Sequence, residues 1–515
     1  MPRYTYAPFP YVTPPELLGR RGVPVPVLIV GAGPVGLAAA IDLALHEIPS
    51  IVVDDNNAVS VGSRAICWAK RTLEIFDRLG VGDRMVAKGV TWKVGRLFHR
   101  DKDVYAFDLL PESGHKMPAF INLQQYYVEQ YLVERCAEFP ELIDLRWKNR
   151  AVSVRQTPHG VQTGIETPDG PYTIEADYLL ACDGARSAIR SLMGPTLEGQ
   201  TFEERFLITD IEMQADFPSE RWFWFEPPFH SGQSALLHKQ PDNIYRIDLQ
   251  LGPDADPALE KQPERVIPRI KAMLGDRPFT LVWTSVYSFQ CARLARFVHD
   301  RVIFVGDSAH VVSPFGARGG NGGIQDVDNL CWKIAGVLDH SGHALLESYN
   351  DERGRAADEN ILNSSRATDF MSPADGMQRM FRDAVLDLAA DLPFARKLVN
   401  SGRLSQPCSL AGLPLVTPSD LATPLAPGAP CPDAPHKDGW LLNALGGDFI
   451  DLKIGSAIND AATGMAFVHA DSPEAIQRYG DGNTYLIRPD QHVAAVFRNP
   501  TEEKLMAAYT RAMSS

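Results

Sequence analysis

Three short stretches of this chain set glycines and an acid directly after an apolar run, a combination suited to phosphates and sugar hydroxyls. The first is Gly31-Ala32-Gly33-Pro34-Val35-Gly36. Glycines at that spacing let the backbone turn tightly and approach a diphosphate, and the amides opening the next helix favour its charge. Asp54 follows Gly36 by 18 positions, at the end of the run Ser50–Val53, where an acid accepts hydrogen bonds from ribose hydroxyls. The second stretch is Cys182-Asp183-Gly184-Ala185-Arg186-Ser187, closing Tyr178–Ala181. The third, GDSAHVVSPFGARGGN from Gly306 to Asn321, offers Asp307 as its acid. Its glycines leave the loop bare where something flat or phosphorylated can approach. Any one of these is weak evidence, since packing alone also selects glycine turns.

Other residues are candidates by type and place. Arg64 follows the ribose acid closely and suits a phosphate contact, the alternative being a surface arginine paired with an acid. Gln125, near the start of a helical pattern, suits a cofactor chain or plain solvent exposure. Cys182 reads as a core thiol and His310 as structural. His238, on a candidate pocket strand, suits either a proton acceptor or a satisfied structural histidine.

These residues need elements to position them. Val25–Val30 reads as a buried strand, and Leu37, Ala40, Ile41 and Leu45 mark a helix after the first glycines. Arg301–Val305 is a further buried strand, and Ile324, Val327, Leu330, Ile334 and Val337 fall on one helical face after the third glycine stretch. Asn122–Leu132 predicts an amphipathic helix, and Ala151–Ala176 a meander turning at Pro168–Gly170. Phe206 to Leu251 alternates like a half-buried sheet able to wall a pocket. Ala344–Ser372 and Met377–Val399 are helical in pattern. A Pro/Gly-rich linker precedes a C-terminal α/β unit with no cysteine after Cys431.

With 515 residues the chain is long enough for two or three domains. A net charge of −14 argues against nucleic acid or an anionic membrane as partner. Seven cysteines without a CxxC pair fit a reducing cytoplasm better than a disulfide framework or a zinc site. The proline-rich N-terminus has no apolar stretch of signal-peptide or membrane-span length and is expected to be an extended surface arm.

GAGPVG at Gly31–Gly36, CDGARSAIR at Cys182–Arg190 and GDSAHVVSPFGARGGN at Gly306–Asn321, in that order, resemble the FAD-dependent aromatic hydroxylases. These are flavoprotein monooxygenases of the para-hydroxybenzoate hydroxylase type, and the phenol and 3-(3-hydroxyphenyl)propionate hydroxylase branch is the nearest. The resemblance implies an α/β fold: a Rossmann-like FAD-binding domain, an inserted mixed β-sheet substrate domain, and a small thioredoxin-like C-terminal domain without redox cysteines. The expected division is an arm at 1–24, the FAD domain at 25–200 and 290–400, the substrate sheet at 201–289, a linker at 401–435 and the C-terminal domain at 436–515.

The same resemblance implies FAD as cofactor, NADPH or NADH as transient co-substrate, and O2. The phenolic ring would be hydroxylated by a flavin C4a-hydroperoxide. It places Gly31, Gly33 and Gly36 at the diphosphate and Asp54 at the adenosine ribose. Arg64 and Gln125 fall at the phosphates and ribityl chain, and Asp183 in an element serving FAD and NAD(P)H. Asp307 falls at a ribityl hydroxyl, and Pro314, Gly319, Gly320 and Asn321 around the isoalloxazine. His238 is the candidate base, and Trp224, Leu236, His238, Tyr245 and Arg246 are candidate substrate contacts. No metal is expected. The partner is a small phenol, and a homodimer stays open. Trp222 to Pro227 resembles the WxWxIP signature of flavin-dependent halogenases, with Glu226 in place of isoleucine. A halogenase and a non-catalytic FAD-binding redox sensor are the alternatives; a plain NAD-dependent dehydrogenase leaves the second and third motifs unused.

Overall fold

The computed structural model describes residues 4–19, 24–252, 254–339, 342–373, 376–399, 404–457 and 464–514. The expected arm and linker therefore lie partly outside the described residues, at 1–3, 20–23 and 401–403. Five apolar runs form a parallel sheet in the order Val302–Phe304, Gly170–Ala181, Val25–Val30, Ser50–Asp54, Ile143–Trp147. Such runs are apolar throughout because helices cover both faces of a parallel sheet. The meander Arg150–Thr157 and Gly160–Thr167 extends antiparallel from Gly170–Ala181. Helix Pro34–Leu45 is almost wholly buried against the sheet and packs on helices Gln125–Cys136 and Gly319–Leu338.

Register decides what this sheet does. Val30 pairs with Ala181 and with Val53, and Ala181 pairs with Phe304. All three glycine–acid loops consequently leave the carboxyl edge of one sheet, side by side, the usual place for a ligand in such folds.

A second, eight-stranded sheet runs in the order His310–Val311, Thr280–Leu294, Leu197–Glu212, Ile244–Leu251, Ser234–Lys239, Glu220–Phe225, Val94–His99, Lys102–Asp108. It reaches beyond 201–289 at both ends. The upstream hairpin Val94–Asp108 joins it through parallel pairing of Val94–His99 with Glu220–Phe225, a contact between distant segments that local pattern does not encode. Side chains alternate between its faces. Phe206, Ile208, Phe223, Phe225 and Leu236 share a core with helices Ala344–Met371 and Gly376–Asp391, while Leu207, Leu237, Tyr245, Ile247 and Leu249 pack with helix Pro263–Leu274.

The C-terminal unit is a four-stranded sheet ordered Ala466–Ala470, Ile450–Ile454, Asn483–Ile487, Val493–Arg498, the first pair parallel and the rest antiparallel. With helices Pro473–Tyr479 and Glu502–Met513 this is a thioredoxin-like arrangement. It docks on the first domain through buried charges: Arg488 donates twice to Glu352, at 2.6 and 2.8 Å, and Lys333 donates to the same carboxylate at 2.7 Å. No helix among the described residues is long and apolar enough to cross a membrane.

Candidate functional site

The first two motif loops interlock through missing side chains. Gly31 has φ +108, and a Cβ there would lie 2.5 Å from the Cys182 carbonyl oxygen; at Gly36 it would lie 1.9 Å from the Gly31 oxygen. Neither position admits another residue without moving backbone. Gly33 differs: a Cβ there would meet no protein atom within 4 Å, so its bareness serves something other than internal packing. The third loop closes on the others. Arg190 donates to the Ser308 carbonyl at 2.9 Å, and a Cβ on Gly323 would lie 2.7 Å from Val35, so the two long helices cross at near-backbone contact.

The residues along this edge fit a dinucleotide. Helices Pro34–Leu45 and Gly319–Leu338 both open without a side-chain cap, leaving their first amides for an anion. Asp183 accepts from the Ile189 amide at 3.0 Å through one oxygen, while its other oxygen is buried with no partner. Asp307 is exposed just beyond strand Val302–Phe304, and desolvation by the protein atoms around it raises its carboxyl. A Cβ on Gly319 would sit 3.7 Å from that carboxylate. Asp54 is tied into the first loop, accepting from Ala32 at 2.7 Å and from Asn56 at 2.8 Å, and burial raises it too. Pro314 and Arg64 are exposed, Arg64 in the left-handed region at φ +44.

Two of the expected contacts are already engaged within the protein. Gln125 accepts from the Ala65 amide at 3.2 Å and donates to Glu129 at 2.8 Å, bracing the loop that carries Arg64. Asn321 accepts from Ala69 and donates to Cys67 and Ala317, so its side chain staples strand Cys67–Ala69 to the helix start. A Cβ on Gly320 would lie 3.3 Å from Trp68. His310 binds Asp326 at 2.6 Å, and Asp326 also receives Arg353.

On the second sheet the five candidate substrate residues divide by face. Leu236, His238 and Arg246 lie on the face that carries Phe223 and Phe225. Trp224 stacks on Phe98 at 5.0 Å and Tyr245 donates to the Ala215 carbonyl, both on the opposite face and away from the cleft. The period of two in a strand makes the reason plain: neighbours in sequence look in opposite directions. The cleft itself is walled by Arg221, Phe223, Phe225, Phe315, Gly316, Arg318, Phe370 and Met371. The sequence anticipates the third loop and a pocket-walling sheet between Phe206 and Leu251, but not Arg221, Phe223 or Phe225 as the particular lining residues. Alternate residues of the aromatic strand Glu220–Phe225 were the available signal.

His238 is buried, with Nδ1 3.9 Å from the Cys67 sulfur, and it does not line the cleft. Burial, then Arg221 and Arg246, hold its imidazole well below the ordinary range. Burial pushes the Cys67 thiol up to about 11, so it is neutral. Arg246 donates to Asp248 at 2.8 Å, and Asp210, pushed up to about 6 by burial, accepts from Ser63 at 3.0 Å and Gln240 at 3.1 Å.

A parallel sheet with three glycine–acid loops at its carboxyl edge, facing an aromatic cleft on a second sheet, defines a nucleotide-binding flavoprotein architecture. The FAD binding domain family matches residues 24–364, and the chain belongs to that family. Two curated relatives carry the name 3-(3-hydroxy-phenyl)propionate/3-hydroxycinnamic acid hydroxylase. That of Mycobacterium sp. (strain KMS) is 28% identical over 376 residues, which are 72% of this chain and 64% of the relative. That of Burkholderia cenocepacia (strain HI2424) is 28% identical over 372 residues, 71% of this chain and 67% of the relative. The match thus spans less than two thirds of the first relative's length. Among solved structures, the flavin-dependent monooxygenase PieE in complex with FAD and substrate superposes with a TM-score of 0.78 at 24% identity, covering 95% of this chain and 99% of that one. The p-nitrophenol 4-monooxygenase PnpA from Pseudomonas putida DLL-E4 gives 0.65 at 24% identity, covering 74% and 97%. These two establish the shared fold.

Proposed function

We propose that the protein is an FAD-dependent, NAD(P)H- and O2-consuming monooxygenase that hydroxylates a phenolic substrate. The observation that carries this reading is the convergence of all three motif loops on one sheet edge beside a cleft walled by Phe223, Phe225, Phe315 and Phe370. The names of the curated relatives support it.

In this reading Gly31, Gly33 and Gly36 with the first amides of helix Pro34–Leu45 hold the diphosphate, and Asp54 the adenosine ribose. Arg64 serves the phosphates, braced by Gln125, and Asp307 a ribityl hydroxyl. Asp183, with its partnerless oxygen, is the remaining acceptor at the cofactor edge. Bound FAD supplies reduction by a nicotinamide cofactor and activation of O2 for transfer to an electron-rich ring. The chain's own part is binding, orientation and shielding. Pro314 and the uncapped amides of Gly319, Gly320 and Asn321 would hold the flavin ring, where oriented dipoles would stabilise negative charge. The phenylalanine walls exclude water from the ring to be hydroxylated.

Phenol activation falls to charge rather than to His238. A buried imidazole held far below its ordinary range is a weak base, whereas Arg221 and Arg246 favour the phenolate electrostatically. The test is direct: purify the chain, record its visible spectrum, and screen phenols for stimulated NAD(P)H oxidation with recovery of hydroxylated product. A colourless protein, or a yellow one that no phenol stimulates, refutes the proposal.

A further inference from the structure

The N-terminal arm takes no part in the proposed reaction, yet it is bound to one particular segment of the first domain. Segment 55–66 joins strand Ser50–Asp54 to strand Cys67–Ala69 and has no regular structure of its own. Without a ladder of internal hydrogen bonds, a stretch of that length takes a fixed shape from its neighbours. It follows directly on Asp54 and carries Arg64 near its end, the residues assigned to the adenosine ribose and the phosphates.

The arm grips this segment at two points. At the first, the Phe9 amide donates to the Asn57 carbonyl at 2.7 Å, and the Asn57 side-chain amide donates back to the Phe9 carbonyl at 2.9 Å. The Phe9 ring stacks on Trp147 with centroids 4.6 Å apart and planes 11° from parallel, and Trp147 is the register partner of Asp54. At the second, the Tyr6 hydroxyl accepts from the Gly62 amide at 3.3 Å. Gly62 has φ +82, and a Cβ there would lie 2.2 Å from Trp283, so this turn is pressed between the arm and the second sheet. Tyr4 and Tyr6 pack on Tyr126, with ring centroids 4.5 and 5.5 Å away, which seats the arm on helix Gln125–Cys136. Further along, the arm leaves the segment: Tyr11 donates to Thr167 and Thr13 to Asp169, at the turn between Gly160–Thr167 and Gly170–Ala181.

We propose that Tyr6 and Phe9 are positioning residues for FAD, which fix Asn57 and Gly62 and so hold the chain from Asp54 to Arg64 in its cofactor-binding shape. A segment ordered in advance loses less conformational freedom when the ligand arrives, and the ligand is held more tightly for it. The proposal rests on the reading of Asp54 and Arg64 as cofactor contacts.

The experiment titrates FAD into the ligand-free full chain, following flavin fluorescence. Tyr6→Phe deletes one hydroxyl and is expected to raise the FAD dissociation constant about three- to tenfold. Phe9→Ala is expected to raise it about tenfold, and Phe9→Leu, which keeps apolar bulk but loses the stack, moves it the same way. Tyr11→Phe and Thr13→Val remove comparable hydrogen bonds from the far part of the arm and leave it within about twofold. The ligand-free Tyr6→Phe protein melts no lower than ligand-free Tyr11→Phe, which a merely structural role for Tyr6 does not predict. Coupling is reciprocal, so FAD must in turn slow hydrogen exchange at the Phe9 and Gly62 amides of the parent. Unchanged affinity in the Tyr6 and Phe9 variants, equal losses in all four positions, or exchange at those amides that ignores FAD overturns the proposal. A parent that binds no FAD refutes the cofactor reading itself, and the proposal with it.

Discussion

The guanidinium of Arg246 donates to the main-chain carbonyl of Arg64, joining the second sheet directly to the loop that carries Arg64. Arg64 sits in a left-handed conformation, and the same loop is held by Ser63 donating to Asp210 and by Gln125 accepting from Ala65. Two strands of the second sheet thus fix the geometry of a loop on the first domain.

Arg246→Gln should therefore weaken both functions at once. It leaves Asp248 buried without its cation, which costs about 3–5 kcal/mol in comparable pairs, and it frees the Arg64 loop. The expected outcome is a clearly lower melting temperature together with weaker FAD retention. Thermal denaturation and flavin-to-protein ratio after gel filtration measure the two. Unchanged FAD retention in a folded variant would show that the Arg64 loop is held by other means.

Gly33→Ala separates cofactor binding from folding. Gly33 has φ −77 and ψ −177, extended backbone open to any residue, and its added methyl meets no protein atom within 4 Å. The apoprotein should melt as the parent does, within the effect of about 0.5 kcal/mol usual for neutral surface changes. FAD affinity should fall by about tenfold or more, because on the proposed reading the added methyl would project into the space of the diphosphate. Gly36→Ala, by contrast, drives a methyl into the Gly31 carbonyl and should yield little folded protein.

His238→Gln addresses the identity of the base. Burial and two arginines keep the imidazole neutral across the neutral range, so its protonation produces no acid limb near the ordinary histidine value. The variant should keep the pH profile of the parent and lose less than about tenfold in kcat. A loss of about 100-fold or more, the range typical of removing a general base, accompanied by disappearance of an acid limb, would restore His238 to that role.

Glu352→Gln tests the docking of the C-terminal domain. Burial alone would raise this carboxyl, but Arg488 and then Lys333 outweigh it and hold it far below the ordinary carboxylate range. Burial meanwhile lowers the Lys333 amine to about 8, so Arg488 is the principal partner. An acid lowered on folding stabilises the fold above its unfolded value and loses that contribution as pH falls toward the folded one. The variant should be less stable by about 3–5 kcal/mol at neutral pH, and the gap should narrow as pH drops below 4.5. Melting curves between neutral and acid pH measure this; a gap that stays constant would exclude the ionised carboxylate as its source.

Much of this molecule was legible in the chain itself. Apolar runs ending in glycine and acid announced the strands, helices and loops of the cofactor edge because local period and side-chain absence are written residue by residue. Gly31, Gly36, Asp54 and Asp307 needed no neighbours to be noticed. What sequence could not supply was direction across a sheet and pairing between distant segments. Trp224 and Tyr245 look as aromatic and suitable as Phe223, but a strand turns alternate residues away, and only the register shows which face meets the cleft. The hairpin Val94–Asp108 enters the second sheet from more than a hundred residues upstream of its partner. Asp183 stands out only once one of its carboxylate oxygens is seen to be buried without a hydrogen-bond partner. Spacing along the chain decided which groups were present. Long-range packing decided which of them were left unpaired, and an unpaired buried charge is a property of the folded surroundings alone.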